Sequence, residues 1–415
     1  NLVSKGSKYL LTPTSYYLNM KFFLGEKENK MNDKILFYQW NAFMQNGIEA
    51  SMTRMGIEYD KFYYIIKDWD KDDEFEKKLE AEVTSGGYKT VFSVNFCPII
   101  SDVCQRHSVH YISWVYDAPL HIKRVDALKN SCNDIYFFDY IQCNTYIKSG
   151  VSGAHHLTLA VDTDIFADKG RDNKHPASWY ECDVSLVGQL YKSTYNYICG
   201  PLDEYYRGYL EGIVRAQQKV YGGYIIGDML DDKLLDSLNE FYYKASDGEG
   251  GVSKKQLEYS LGTEVTGRDR FTVLALLQNR CRVNLYSNDK DDRLGKVSFK
   301  GYVDYDTQMP EVFRRSKINL NISLRLIQSG IPLRVLDVLG CGGFLITNYQ
   351  QEIAEDFENG RDLVIYEDYV DLVEKVEYYL IHEEERKAIA LNGYNKVRER
   401  FNFDDRVRIM FERTR

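Results

Sequence analysis

The sequence predicts an α/β protein made of two doubly wound domains, and three observations support this. The chain has 415 residues, more than a single hydrophobic core usually supports. Short β-branched runs alternate with amphipathic stretches through the first half, a pattern typical of parallel sheets with helical crossovers. In the second half, residues 317–348 read as strand, loop, helix and strand.

Composition bounds the class of protein further. Apolar residues make up 44% of the chain and charged residues 28%, as in an ordinary globular protein. The net charge of −9 disfavours nucleic acid and anionic lipid as partners. No apolar run reaches the roughly 20 residues of a membrane span and no leader is visible, so we expect a cytoplasmic protein. The eight cysteines contain no C-x-x-C pair, which favours reduced thiols over disulfides or zinc.

The first domain is predicted over 34–170. Residues 1–33 have no readable pattern and are left unassigned. The predicted strands are 35–40, 61–67, 90–95, 110–116, 134–138 and 155–160. The predicted helices are 47–55, 73–84, 100–107, 120–130 and 140–148. Charged residues, Asn173 and Pro176 cluster within 168–180, where we place the domain boundary.

Ligands of doubly wound sheets bind at the carboxyl ends of the strands. Three polar side chains follow predicted strands there: Asn41, Asn95 and Asp117. Asp117 is the candidate general base, because a carboxylate at a cleft edge can take a proton from an attacking hydroxyl. The alternative is that it caps a helix beginning near Pro119. Asn41 and Asn95 are candidate sugar ligands, or alternatively ordinary turn residues.

The second domain is predicted over 181–400. Its predicted strands are 183–187, 282–286, 297–301, 318–322, 344–347 and 363–366. Its predicted helices include 203–217, 231–244, 254–261 and 268–279, followed by one that begins at Pro332. At the end of its first strand, the backbone of Gly188 and Gln189 is a candidate contact for a phosphate or sugar, or alternatively a plain turn.

The stretch after the strand 318–322 predicts an anion site. Gly330 and Ile331 precede the helix that begins at Pro332, whose free N–H groups and dipole attract phosphate. Arg325 and Arg334 add positive charge. Asp337 follows Arg334 on the same face of the helix. This order predicts a nucleotide diphosphate whose ribose lies along the helix.

These residues also carry a resemblance to a known family. Arg334, Asp337, the block Gly340-Cys-Gly-Gly343 and Gly360 resemble the donor-binding half of GT-B fold glycosyltransferases, in particular the CgeB-like group. The runs 114–119, 137–139 and 159–162 resemble a domain of unknown function found upstream in that group. The resemblance covers roughly residues 34–411.

The resemblance implies a GT-B architecture, with two Rossmann-like domains that face each other across a cleft. It implies that Asp337 binds the ribose, that Tyr302 stacks on the base, and that a helix in 401–415 crosses back to the first domain. The chain departs from the family at Ser329, where the commoner retaining enzymes have a glutamate that handles the donor sugar. Sugar contact and stereochemistry are therefore not carried over.

The predicted function is transfer of a sugar, of the hexosyltransferase type, from a nucleotide diphosphate sugar to a glycan, protein or small-molecule acceptor. We expect no cofactor and no metal, because cationic and backbone donors can stabilise the leaving diphosphate. The pair Asp162 and Asp164 is a weak metal candidate at the domain boundary, and the pair His155 and His156 lacks a third ligand. Two alternatives remain open: a non-catalytic sugar- or nucleotide-binding protein of this fold, and a nucleotide-sugar epimerase.

Overall fold

A computed structural model describes residues 34–164, 166 and 174–412. The segment 1–33 and residues 168–173 of the predicted domain boundary lie outside the described residues. The described chain forms two six-stranded parallel sheets with helices on both faces. The predicted fold class, two Rossmann-like α/β domains, is therefore confirmed.

The N-terminal sheet has the order β2-β1-β3-β4-β5-β6. Its strands are β1 (Ile35–Gln39), β2 (Tyr59–Tyr63), β3 (Thr90–Val94), β4 (His110–Val115), β5 (Asn133–Phe137) and β6 (Ala154–His156). Its helices are α1 (Gln45–Arg54), α2 (Asp73–Gly86), α3 (Pro98–His107) and α4 (Tyr140–Lys148), with a 3₁₀ helix at Val125–Lys129. The sheet is wound in both directions from β1, so its ligand crevice lies at the carboxyl ends of the strands.

The predicted helix over 120–130 is wrong except for the 3₁₀ helix at its end. The backbone N–H groups of Lys123 and Arg124 donate to the Asp70 carboxylate, at 2.9 and 2.8 Å, instead of to helix carbonyls. A side chain distant in sequence has therefore satisfied donors that a helix would otherwise use.

The C-terminal sheet has the order β12-β11-β10-β7-β8-β9. Its strands are β7 (Cys182–Val187), β8 (Val283–Tyr286), β9 (Ser298–Phe299), β10 (Ser316–Asn321), β11 (Leu345–Asn348) and β12 (Val364–Tyr366). The helices up to β8 are α5 (Ala177–Tyr180), α6 (Tyr195–Cys199), α7 (Glu204–Lys219), α8 (Ile226–Met229), α9 (Asp232–Ala245) and α10 (Lys254–Leu277). Those after β9 are α11 (Met309–Arg315), α12 (Leu333–Gly340), α13 (Gln351–Asp356), α14 (Tyr369–Ile381), α15 (Glu383–Arg400) and α16 (Phe403–Glu412).

Helix α10 is one continuous helix, whereas the sequence predicted two segments separated at 262–267. A Cβ atom at Gly262 would lie 2.6 Å from the Leu326 side chain, and one at Gly267 would lie 2.8 Å from the Leu190 carbonyl oxygen. These glycines allow the helix to pass close to neighbouring chain segments, and they do not break it. The packing they permit outweighs the roughly 1 kcal/mol that glycine costs inside a helix.

The terminal helix α16 lies against the N-terminal domain. Arg406 is buried and donates to the carbonyl and hydroxyl oxygens of Thr158, at 3.1 and 2.8 Å. The rings of Phe411 and Phe92 have centroids 5.5 Å apart. In the described part of the chain, no helix combines the length and the apolar character needed to cross a bilayer.

Candidate functional site

The loops at the carboxyl ends of the two sheets meet along one cleft. On one side, the Asn46 amide donates to Asp306 at 2.9 Å across the domains. On the other, the Lys255 ammonium donates to the Ile122 carbonyl oxygen at 3.1 Å. These contacts join the start of helix α1 to loop 301–308, and the loop after β4 to helix α10. The cleft therefore has residues from both domains on each flank.

Asp117 and Asn95 form a hydrogen-bonded pair in the N-terminal domain. The Asn95 amide nitrogen donates to the Asp117 carboxylate at 2.6 Å, and its amide oxygen accepts from the Tyr116 N–H at 2.9 Å. Burial raises the pKa of Asp117, and the bond from Asn95 opposes the rise. Asn95 therefore positions a partly desolvated carboxylate.

The alternative interpretation of Asp117, as a helix cap, lacks a helix to support it. The next helical residues after Pro119 are those of the short 3₁₀ helix at Val125–Lys129. The pKa of Tyr259, on α10, is raised mainly by burial and also by the charge of Asp117. Asp117 therefore lies close enough to the C-terminal domain for its charge to act on Tyr259.

Asn41 lines a cavity of about 370 Å³ between the domains. Its amide donates to the Tyr63 hydroxyl at 3.1 Å. Phe43 lies in the same wall, and its ring centroid is 5.0 Å from that of Tyr305 in the other domain. The cavity is lined on the second side by Tyr305 and Asp306. Asn41 is thus placed to contact a molecule held between the domains.

Asp337 is 1% exposed and lies behind Tyr305. One carboxylate oxygen accepts from the Tyr305 hydroxyl at 2.8 Å, and the other lies 3.4 Å from a guanidinium nitrogen of Arg334. Both carboxylate oxygens of Asp337 therefore have partners within the protein, and a ribose that binds this carboxylate must displace one of them. The sequence reasoning selected the ring of Tyr302 and missed Tyr305, three residues further along the same loop.

The titration of Asp337 gives a testable prediction for stability. Burial raises its pKa to about 6, although Arg334 and Tyr305 oppose the rise. An acid with a raised folded-state pKa stabilises the fold below its unfolded pKa, and this stabilisation is lost as the pH rises through the folded value. We expect the unfolding free energy of the parent, relative to Asp337→Asn, to fall by about 2 kcal/mol between about pH 4 and pH 7.

Urea unfolding of both proteins across this pH range measures the difference directly. The subtraction removes the titration of all other groups that the substitution does not touch. A difference between parent and variant that is independent of pH would contradict the raised pKa.

Arg270, on α10, lies beside the loop after β7 and was not selected from the sequence. Its guanidinium is 8% exposed and donates to the carbonyl oxygens of Gln189, at 2.5 Å, and Ile322, at 2.6 Å. A Cβ atom at Gly188 would lie 2.9 Å from this guanidinium, so only glycine leaves room for it. Burial lowers the pKa of Arg270, and the charge of Arg334 lowers it further. Two arginines therefore lie close enough to repel each other at the cleft.

Arg325 has a different environment from the one predicted. Its guanidinium donates twice to one carboxylate oxygen of Asp269, at 2.9 and 2.7 Å, and lies over the Tyr221 ring at 4.1 Å. It is therefore committed to an internal ion pair, which favours a structural role over contact with phosphate.

The other predicted donor ligands occupy three kinds of position. Tyr302 is 66% exposed at a loop surface. Gln189 is exposed, and its carbonyl oxygen is held by Arg270. Gly330 and Ile331 are buried in the loop before α12, and the Gly330 N–H donates to the Asp139 carboxylate at 3.2 Å.

The two neighbouring histidines of β6 are bonded to carboxylates. His155 lies 2.6 Å from Asp134, and His156 lies 2.8 Å from Glu352. Within the described ranges, no three His, Cys, Asp or Glu side chains are grouped so that they could hold a metal ion. Ordinary hydrogen bonding therefore accounts for both histidines.

One part of the chain is similar to a known protein family. Residues 268–412 match a family model described as glycosyl transferase-like. No curated protein matches the chain.

Solved structures match almost the whole chain at low identity. The Anabaena protein HepE, in complex with UDP and glucose, has a TM-score of 0.52 and 10% identity, covering 92% of this chain and 99% of HepE. Sucrose-phosphate synthase from Thermosynechococcus elongatus has a TM-score of 0.53 and 11% identity, covering 92% and 98%. A glycosyltransferase from Rickettsia africae has a TM-score of 0.52 and 10% identity, covering 92% and 97%. The protein has the GT-B fold.

Proposed function

We propose that this protein is a glycosyltransferase that moves a sugar from a nucleoside diphosphate sugar to an acceptor, without a metal. One observation carries the proposal. Asp117, a partly buried carboxylate whose pKa is raised, lies at a strand end of the N-terminal domain, and two arginines, Arg270 and Arg334, lie beside the strand ends of the C-terminal domain. A base on one side and anion donors on the other are what group transfer from a diphosphate leaving group requires.

The donor half is assigned residue by residue. The diphosphate is held by the N–H groups at the start of α12 together with the guanidinium groups of Arg270 and Arg334. The ribose takes the place of the Tyr305 hydroxyl on Asp337. The base stacks on Tyr302. Positive charge around the leaving diphosphate stabilises the charge that develops as the sugar departs.

The acceptor half is assigned to the N-terminal domain. Asp117 takes the proton from the acceptor hydroxyl as that oxygen attacks the sugar, and Asn95 holds the carboxylate in position. Asn41 contacts the donor or the acceptor sugar from the wall of the inter-domain cavity. The hexosyltransferase type and the CgeB-like assignment are finer parts of the same proposal.

The comparisons support the proposal at a coarser level. The match to the glycosyl transferase-like family model begins at residue 268 and so includes Arg270, Arg334 and Asp337. The similar structure of HepE holds UDP and glucose. A sugar transferase that uses a uridine diphosphate donor is the reaction class in best agreement with both.

Titration calorimetry with a panel of nucleoside diphosphates tests donor binding. We expect at least one to bind the parent chain, and Arg334→Ala to weaken that binding about tenfold, since one charge-assisted hydrogen bond contributes about 1.5 to 3 kcal/mol. Arg361→Ala is a matched control, because Arg361 also pairs with a carboxylate three residues away, Glu358, but on the surface.

The enzyme and the non-catalytic alternative differ in turnover. Incubation with the sugar-linked form of the bound nucleotide should release nucleoside diphosphate slowly, and faster with an acceptor. Tight binding with no release, even with a panel of glycan acceptors, would favour a non-catalytic nucleotide-binding protein. Equal affinity in the parent and Arg334→Ala would remove Arg334 from the diphosphate site.

A further inference from the structure

Asp139, in the N-terminal domain, is bound to the donor loop of the C-terminal domain. We define the donor loop as residues 328–331, which lead directly into α12. One Asp139 carboxylate oxygen accepts from the N–H groups of Gln328, Ser329 and Gly330, at 2.7, 3.0 and 3.2 Å. Asp139 is fully buried. A carboxylate of one domain therefore organises three successive amides of the other.

The reverse contact is made by Glu352 of the C-terminal domain. One of its carboxylate oxygens accepts from the N–H of Tyr140, at 2.8 Å, and from the hydroxyl of Ser329, at 2.7 Å. The Ile141 N–H donates to the same hydroxyl at 3.1 Å. The first amides of α4, which no turn of that helix can satisfy, are thus satisfied from the other domain.

Together these groups form a reciprocal contact between the domains, defined by Asp139, Ser329 and Glu352. Asp139 also accepts from the Gln142 N–H at 2.8 Å, so it caps its own helix while it holds the donor loop. The contact is tight at Gly330, where a Cβ atom would lie 2.8 Å from the Phe138 ring and 3.0 Å from the Asp139 Cα atom. Three successive amides of the donor loop are therefore bonded to a side chain of the other domain.

We propose that Asp139 is a positioning residue, which shapes the donor loop and so makes nucleoside diphosphate binding depend on contact between the domains. The inference rests on the proposed function, because it concerns the same donor site. Ser329 supports it independently. Its hydroxyl lies between the two carboxylates, 3.2 Å from Asp139 and 2.7 Å from Glu352.

Asp139→Asn tests the proposal with two readouts. The amide cannot accept from three N–H groups with a full charge, so we expect the amides of 328–330 to exchange hydrogen faster without ligand. We also expect nucleoside diphosphate affinity, measured by calorimetry, to fall about tenfold to a hundredfold, as for other misplaced binding groups. In transfer assays, the KM for the donor should rise more than kcat falls.

Asp72→Asn is the matched control. Asp72 is a buried helix-capping carboxylate of the same domain, which accepts from the N–H groups of Lys67 and Phe75. If Asp139 had a structural role only, Asp139→Asn and Asp72→Asn would behave alike. Both would have a lower melting temperature and an unchanged affinity for the nucleoside diphosphate. Should Asp139→Asn fail to fold, Glu352→Gln and Gly330→Ala disturb the same contact from the other side and should show the same two changes.

The outcomes separate the inference from the proposed function. A parent chain that binds no nucleoside diphosphate would overturn the proposed function. Normal binding in the parent, with affinity and donor KM unchanged in Asp139→Asn, would overturn the inference alone. Unchanged amide exchange at 328–330 would do the same.

Discussion

Asp117→Asn should lower the rate of sugar transfer by about a hundredfold to ten-thousandfold, which is the usual contribution of a positioned general base. The asparagine keeps the size of the side chain but cannot take the proton of the acceptor hydroxyl. Because Asp117 is paired with a neutral amide and not with a cation, the substitution leaves no unpaired charge, and the fold should survive. Initial rates at saturating donor and acceptor measure the effect.

The pH profile gives a second test of Asp117. The base acts when ionised, so the rate should rise with pH through the pKa of Asp117, which burial has raised above its usual range. Asn95→Ala removes the hydrogen bond that lowers the pKa of Asp117. The pKa should therefore rise further, and the acidic limb of the pH profile should move to higher pH. Residual activity of Asp117→Asn should lack that limb.

Asp183, at the amino ends of the strands of the C-terminal sheet, is a control for Asp117. Asp183 follows the first residue of β7 and is paired with Lys317 and Arg282, far from the carboxyl ends of the strands. Asp183→Asn should leave kcat near the parent value. Similar losses in both aspartate variants, or full turnover in Asp117→Asn, would exclude Asp117 as the base.

Local hydrophobic patterns predicted most of the fold because they reflect which residues are buried. Both sheets were visible as β-branched runs separated by amphipathic helices, since every central strand of a parallel sheet is buried on both faces. The errors arose where a distant partner decided the local structure. Asp70 draws the backbone away from a helix near Lys123, and close packing at Gly262 and Gly267 keeps α10 intact.

The candidate site was predicted less completely, for a related reason. Strand ends indicated Asp117 and Asn95, which the structure brings together, because sheet topology places consecutive strand ends side by side. Arg325 was chosen for its position in the sequence, but the direction of its side chain depends on Asp269, in helix α10. Arg270 enters the cleft from the middle of α10, and Asp139 enters from the other domain. No feature of the neighbouring sequence identifies Arg270 or Asp139 as a residue of the site.

Arg270→Met is expected to have the largest effect on donor binding. The guanidinium is buried beside Gly188, its acceptors are backbone carbonyl oxygens, and burial together with the nearby Arg334 lowers its pKa. A diphosphate would supply negative charge that offsets the repulsion between the two arginines. Two charge-assisted hydrogen bonds contribute about 3 kcal/mol or more, so the affinity for a nucleoside diphosphate should fall about a hundredfold.

Comparing the affinities of a nucleoside and its diphosphate separates two roles of Arg270. One is contact with phosphate, and the other is support of the Gln189 and Ile322 carbonyl groups. The unphosphorylated nucleoside reaches the base and ribose positions only, so its weaker affinity should change little in Arg270→Met, whereas the diphosphate loses most of its advantage. Arg386→Met is the matched control, since Arg386 is 7% exposed and donates to the Tyr379 carbonyl oxygen away from the cleft. Both variants lose a buried guanidinium, and their melting temperatures should fall alike. If nucleoside and diphosphate weaken equally in Arg270→Met, Arg270 acts only by holding the ends of β7 and β10 together.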